Sequence, residues 1–439
     1  MDILNSSLLE DVKDVLEKPA PKQDNQWKLT FHLPSGDMEA MKVDYVQIER
    51  DYEKRYGDLI YVQVTMRRRD VIQKIYPMRE TLMATLYRKG SNGPINQLLK
   101  VTIRDNLPSL GTGVASDMDE HDDPKTDRLF TLTVQLLSRF VEHIRLASFG
   151  HTGRQTTVER FLTANLSLPI PSVKLPSEEL IDGIDMIPAD NTQVYRSLTV
   201  PSYVPIYKVP KYCQEILCGV YKDGINHYIQ DRHWYVYPEH RVTHFNSTEK
   251  KLTVVSVPEN RLPKPENSWF TDGKSTVILS TGSKVEIEMK EILQLQFGNA
   301  VRMNLARRMI HVGRTVNGDD VTVNRKESVI ETSNHLRQDG RQVAPFADHP
   351  ITDNVYRELS KIEGRDRQLI EVEWQNSSLD VIYPGMPVRY IYMKGNEVKE
   401  IYGQVLQFNF KERVAGEGIN NPNYESTGSL KLMLESTDA

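Results

Sequence analysis

The densest supply of reactive side chains lies between Cys218 and Arg241, in the stretch CGVYKDGINHYIQDRHWYVYPEHR. It holds His227, His233 and His240, with His244 just beyond, among Tyr221, Tyr228, Trp234, Tyr235 and Tyr237. A helical zinc site places two histidines at i and i+4 with a carboxylate nearby. Here the intervals are six, seven and four residues, across a turn and a strand, and Pro238 precedes the only i, i+4 pair. The pattern therefore reads as hydrogen-bonding or solvent-facing histidines rather than a metal centre. The aromatic rings offer a stacking platform for sugars, but Tyr and Trp also populate strands for packing reasons.

Other candidate chemistry is thinner. Cys213 and Cys218 are the only cysteines, and their C-x4-C spacing matches no zinc or redox motif, so they read as buried thiols of a reducing compartment. The run DMDEHDD (117–123) supplies hard oxygen ligands but lacks the glycine and distal glutamate of a calcium loop. LASFG (146–150) lacks the first glycine of a nucleophile elbow. Neither a P-loop nor a dinucleotide-binding glycine fingerprint occurs. Arg302, Arg307, Arg308 and Arg314 form a basic run, read as a solvated or interface face because the chain carries a net charge of −5. No cofactor, metal or catalytic residue is assigned, and the chain is expected not to be an enzyme.

The elements around these residues are mostly strands. Residues 1–25 read as a short amphipathic helix, its stripe running Ile3, Leu4, Leu8, Leu9, Val12, Val15 and Leu16, followed by a linker with Pro19 and Pro21. No secretory signal is expected there, and no run is long enough to span a membrane. Ile60, Val62, Val64 and Met66 alternate with polar residues, as do Phe130, Leu132, Val134 and Leu136. Met41, Val43 and Tyr45 alternate until the phase slips to Val46 and Ile48, which predicts a bulge. Hairpins are predicted at Asn92-Gly93, at TVNGDDVTV and at Gly395-Asn396. A helix capped by Thr156 and Glu159 buries Val158, Phe161, Leu162 and Leu166. A second, starting near Pro210, presents Tyr212, Ile216, Leu217 and Val220. In HWYVYP, Trp234 and Val236 share one face, and His233, Tyr235 and Tyr237 the other. Strands return at Ile370, Val372 and Trp374 and close at Leu430, Leu432 and Leu434. At 439 residues the chain exceeds one core.

In order along residues 26–436, these pieces resemble the baseplate hub proteins of contractile-tailed bacteriophages, relatives of the phage late-control proteins and of the hub half of type VI secretion spikes. Three stretches carry the resemblance: GDLIYVQVTM with PMRETLMATLYR, KYCQEILCGVYKDGINHYIQDRHWYVYP, and LDVIYPGMPVRYIYMKGNEVKEIYGQVLQFNF. It implies a mainly β (α+β) chain with two tail-tube-like antiparallel barrels and a small helix-hairpin middle region. The first tube-like domain with its following helix falls at 26–175, a middle region contributing to the second barrel at 176–350, and the remaining barrel segments at 351–439. It further implies a homotrimeric ring that adapts a sixfold tail tube to a threefold spike, touches tube, central spike and baseplate wedge proteins, and lets genomic DNA pass without specific binding. The place of action would be the virion tail, assembled in the host cytoplasm. His233, Tyr235, Tyr237, Arg302 and Arg307 are the expected subunit-interface residues. Two other readings stay open: a receptor- or polysaccharide-binding tail protein using the Tyr/Trp cluster, and a hydrolase using unassigned carboxylates or histidines.

Overall fold

The computed structural model describes residues 7–19, 25–90, 93–104, 129–288 and 354–435, apart from short stretches at 169, 171–172, 242–243, 262, 265–266, 282–286, 364–366, 396 and 416–422. Between 289 and 353 it describes only the backbone of four short strand segments. Seven strands form a first half: β1 (Gln26–His32), β2 (Met38–Glu39), β3 (Lys42–Asp51), β4 (Leu59–Arg67), β5 (Met83–Gly90), β6 (Gly93–Ile103) and β7 (Leu129–Leu137). A middle unit holds β8 (His151–Thr157), β9 (Gly183–Met186), β10 (Val194–Val200), β11 (Ile225–Gln230) and β12 (His233–Pro238), with helices Arg139–Leu146, Val158–Ser167 and Val209–Glu215. Then come β13 (Lys251–Ser256), β14 (Trp269–Thr271), β15 (Ser275–Ser280) and the short β16 (Ile287–Glu288) to β20 (Val329–Ile330), with β18 (Met309–Val316) and β19 (Asp319–Lys326) as the predicted hairpin. The chain ends in β21 (Arg367–Gln375), β22 (Pro387–Lys394), β23 (Glu397–Ala415) and β24 (Asn423–Glu435). Among the described residues no helix is long and apolar enough to cross a membrane.

Fifteen of these strands share one sheet. Its path runs β14-β15-β13-β22-β23-β3-β4-β7-β6-β5-β1-β2, with β24 and β21 branching from β23. The fold is mainly β, as the alternation predicts, but the two halves are not separate closed barrels. They are fused through β23. Up to Gln404 that strand pairs with β22, and from Gln407 its same edge pairs with β3. The handover lies at Leu406, where the β23–β24 register shifts. Val405 N–H donates to Met386 O at 3.1 Å, while Leu406 O accepts from Tyr52 N–H at 2.9 Å. A bulge of this kind bends and twists a strand, which lets one strand serve two curved sheets.

Each half curls back on itself by other means. In the first, β2 pairs with β1, and two residues later the chain has joined β4 as β3; Ala40 N–H donates to Leu29 O and Met41 N–H to Thr65 O. The predicted bulge is there, between Val43 and Tyr45. In the second, Ser268 and Ser280 hydroxyls and the Trp269 indole N–H donate to the carbonyls of Gln375, Glu373 and Asn376. The segment β13–β15 enters this half through parallel pairing of β13 with β22. One apolar core runs through both halves, from Leu29, Val62 and Val134 to Val372, Phe408 and Leu432, all essentially unexposed. Each such side chain contributes about 1.5–3 kcal/mol by burial.

The helices Arg139–Leu146, Val158–Ser167 and Val209–Glu215 belong to the middle unit, which has its own core of Phe140, Phe161, Leu162, Val200, Val220 and Trp234, among others. Two helix predictions need correction. The cap of Val158–Ser167 is Thr157, whose hydroxyl accepts from Arg160 N–H, and Glu159 instead accepts from Ala189 N–H at 3.0 Å. The helix from Val209 stops at Glu215, so Ile216 is 56% exposed rather than packed. Gln214 is responsible: its side chain binds Val220 and Tyr221 N–H, turning the chain before another helical turn forms.

Candidate functional site

The reactive stretch folds as the β11–β12 hairpin, in full antiparallel register from Ile225↔Pro238 to Gln230↔His233. Its two turn residues, Asp231 and Arg232, both have positive φ, of 48° and 65°. Such a turn matches strand twist but strains residues other than Gly, Asn or Asp. Arg232 is held there by Leu180 O at 2.9 Å, Ser177 O at 2.8 Å and Asp182 at 2.6 Å. The tip is thereby driven into the junction between the two halves.

At that junction sits Arg50 of β3, with a side chain 3% exposed. Its Nε meets Asp58 at 3.2 Å, and its Nη1 donates to Leu379 O at 2.9 Å. Burial works against its charge, but Asp58 and then Asp231 hold the guanidinium above its ordinary range. Tyr228 donates to Asp58 at 3.1 Å, Tyr52 donates to Gln230 at 3.0 Å, and Gln230 donates to Ile382 O at 2.9 Å. Further polar ties cross between the halves, among them Arg88 to Asp380 and the Trp27 indole N–H to the buried Glu412. Burial raises the Glu412 carboxyl. The hairpin, β3, β4 and the 379–382 loop are thus one satisfied buried network, a device that fixes geometry more than it adds stability.

The four histidines do not meet. His227 is unexposed, stacked on Tyr56 at 5.0 Å, and accepts from the Trp234 indole at 3.2 Å; burial pushes it down to about 3. His233 lies 2.8 Å from Asp185, His240 is pushed down to about 4 by burial, and His244 lies 3.0 Å from the Ser247 hydroxyl. Among the described residues no three His, Cys, Asp or Glu side chains converge as metal ligands. Burial raises the Cys213 thiol well above its ordinary value, and Ser148 forms only an isolated bridge to Pro205.

The expected interface residues divide. His233 and Tyr235 are partly exposed on one face, rings 6.2 Å apart. Tyr237, expected beside them, is only 3% exposed and belongs to the core. Its ring is covered by Gly385, where an added Cβ would lie 2.7 Å from it, so the Pro-Gly turn at 384–385 buries the face that alternation assigns to solvent. Arg302, Arg307 and Arg308, and the acidic run 117–123, lie outside the described residues.

Between β9, β12 and the 383–385 turn runs an open groove of about 500 Å³. Tyr235, Tyr383, Pro188 and Pro384 line it, with Asp185 and Thr248 as polar groups. Tyr383 is fixed by donation to Lys250 O at 2.6 Å, and burial pushes Tyr235 up to about 12. Sequence reasoning missed this groove and the Arg50 network alike. The signal for the second was an arginine at a core-phase position of a strand, beside buried Ile48.

No family model matches the chain. No curated protein matches it either. Among solved structures it is similar to the tail protein from Neisseria meningitidis MC58, at 9% identity over 93% of this chain and 96% of that one, TM-score 0.43. It is similar to the 43 kDa tail protein of prophage MuSo2 from Shewanella oneidensis, at 8% identity over 92% and 97%, TM-score 0.44. It is also similar to the E. coli c3393 protein, described as a component of the type VI secretion system with structural similarity to T4 bacteriophage tail proteins gp27 and gp5, at 6% identity over 90% and 74%, TM-score 0.41.

Proposed function

We propose that this chain is a structural baseplate hub of a contractile phage tail and not an enzyme. Three copies form a ring that joins a sixfold tube to a threefold spike and surrounds the path of the DNA. The observation that carries this reading is the fusion of two curled β halves through one strand, β23. An adaptor between two symmetries must hold its two tube-like faces at a fixed angle, so that three chains present six faces on a closed ring. A strand shared by both halves, backed by Arg50–Asp58, Arg88–Asp380 and Trp27–Glu412, sets that angle without a linker. His233, Tyr235, Arg302 and Arg307 are proposed to face the neighbouring copy. Tube, spike and wedge proteins are the proposed partners in the virion.

The test is electron microscopy of the purified chain, alone and co-expressed with the tube and spike proteins of the same genome. Threefold rings with six similar lobes are the expected result. A chain that stays monomeric with both partners present overturns the proposal.

A second reading, glycan binding by a tail protein, is favoured by one observation: the Tyr235–Tyr383 groove has the volume and the mix of aromatic walls and few polar groups that small-ligand sites show. Binding on a glycan array that Tyr235→Ala abolishes would favour it; a blank array removes it.

A further inference from the structure

The outer face of the second half is covered by a piece of chain from elsewhere. Residues Ser7–Val12 form a 3-10 turn and Lys13–Leu16 a four-residue α-helix. This segment buries Leu9, Val12 and Val15 against Val255, Val257, Val277, Leu279 and Ile391, which form a core of their own. Val255 and Ile391 are unexposed, and the segment lies against the face of β13 and β22 that carries them. Arg389 is 7% exposed and its Nη2 meets Asp11 at 2.9 Å.

Three features mark the segment as a ligand rather than a part of its sheet. Its helix is far shorter than one that holds its own shape in water, so the face imposes its conformation. Among the described residues its hydrophobic contacts and its bond to Arg389 are with the second half, whereas the chain that follows it becomes β1 of the first half, paired with β5. Its apolar stripe and its half-exposed Asp11, paired with the buried Arg389, form a self-contained recognition code that any identical chain also carries.

We propose that in the assembled ring this face is occupied by the N-terminal segment of a second copy, exchanged between neighbours. The inference rests on the proposal that copies assemble. Exchange of identical elements loses no contact, and each face still receives one segment. Neighbours held in a ring present the segment at high effective concentration. The partner chemistry is an amphipathic helix with apolar residues three apart and a carboxylate aimed at Arg389.

The experiment uses full-length chains carrying Asp11→Arg, Arg389→Asp or both, read by native mass spectrometry and light scattering. Either single variant places like charges together and weakens self-association by at least about tenfold. An equimolar mixture of the two single variants restores association in part, because in a ring of three two of the three segments then meet a complementary face on the other chain. Within one chain no such rescue is possible. The double variant controls for folding. Rescue by the double variant but not by the mixture shows that the segment stays on its own chain and overturns the inference, as do single variants that associate like wild type. A wild-type chain that stays monomeric even with the tube and spike proteins present fails the ring itself and removes this inference with it.

Discussion

Acidification to pH 5 removes about 2 kcal/mol of stability through His227 alone. The ring is fully buried between Tyr56 and Trp234, and its Nδ1 already accepts the indole proton, so the neutral imidazole is the form the fold holds. Burial, followed by the charge of Lys211, drives it from its ordinary 6.5 down to about 3. A depressed base binds its proton more readily when unfolded. Its contribution is therefore complete above the unfolded value and is lost as pH falls from 6.5 toward 3. At pH 5 the unfolded imidazole is protonated about 30:1 and the folded one hardly at all, which by linkage is about 2 kcal/mol; at pH 7.5 it is roughly zero. The assay compares urea midpoints of wild type and His227→Gln at both pH values. Glutamine can accept from the indole but does not titrate. His240, pushed down to about 4, titrates in both proteins and cancels. The variant should be less stable at pH 7.5 yet lose about 2 kcal/mol less than wild type on acidification. Equal losses would refute the buried neutral imidazole.

Glu239 works in the opposite direction. Burial, opposed by Lys211 and reinforced by Glu53 and Glu215, pushes its carboxyl up to about 7, so its share of stability is present below 4.5 and lost as pH rises through 7. Because the residue is partly exposed, Glu239→Gln should gain about 1–2 kcal/mol at pH 8 and nothing near pH 4.5; urea midpoints that stay level at pH 8 contradict this. Gly385→Ala meets two penalties, a left-handed φ of 74° and a Cβ 2.7 Å from the Tyr237 ring. A loss of about 2–4 kcal/mol is expected in chemical denaturation, and one below about 0.5 kcal/mol would mean that the turn and ring move apart freely.

Alternation located the strands because their side chains obey a local rule. Ile60, Val62 and Val64, or Leu430, Leu432 and Leu434, turn inward wherever the chain pairs. The same rule reports which residues share a face and nothing about what covers the other face. It therefore misplaced Tyr237, whose outward face is roofed by Gly385 from a loop some 150 residues away. It could not show β13 lying parallel to β22, since that pairing joins Leu252 to Val388 and leaves no local trace. The Arg50 network was hidden for a related reason. An arginine in a strand reads as surface until Asp58, Leu379 and Gln230 are brought around it. The four histidines lie apart, each in its own surroundings. The burial of His227 came from Tyr56, outside the stretch altogether.

The strand that serves both halves also sets a schedule for biosynthesis. Strand β3 leaves the ribosome early, but its edge partner, residues 407–413 of β23, is made only near the end of the chain. At about 5–20 residues per second, that edge waits roughly 20–70 s with its backbone donors and acceptors open. An open edge of this kind is a template for wrong pairing. The first half can begin to curl during translation, but it cannot be completed until the last strands are released. A ribosome that stalls after residue 396 leaves a chain with neither half finished.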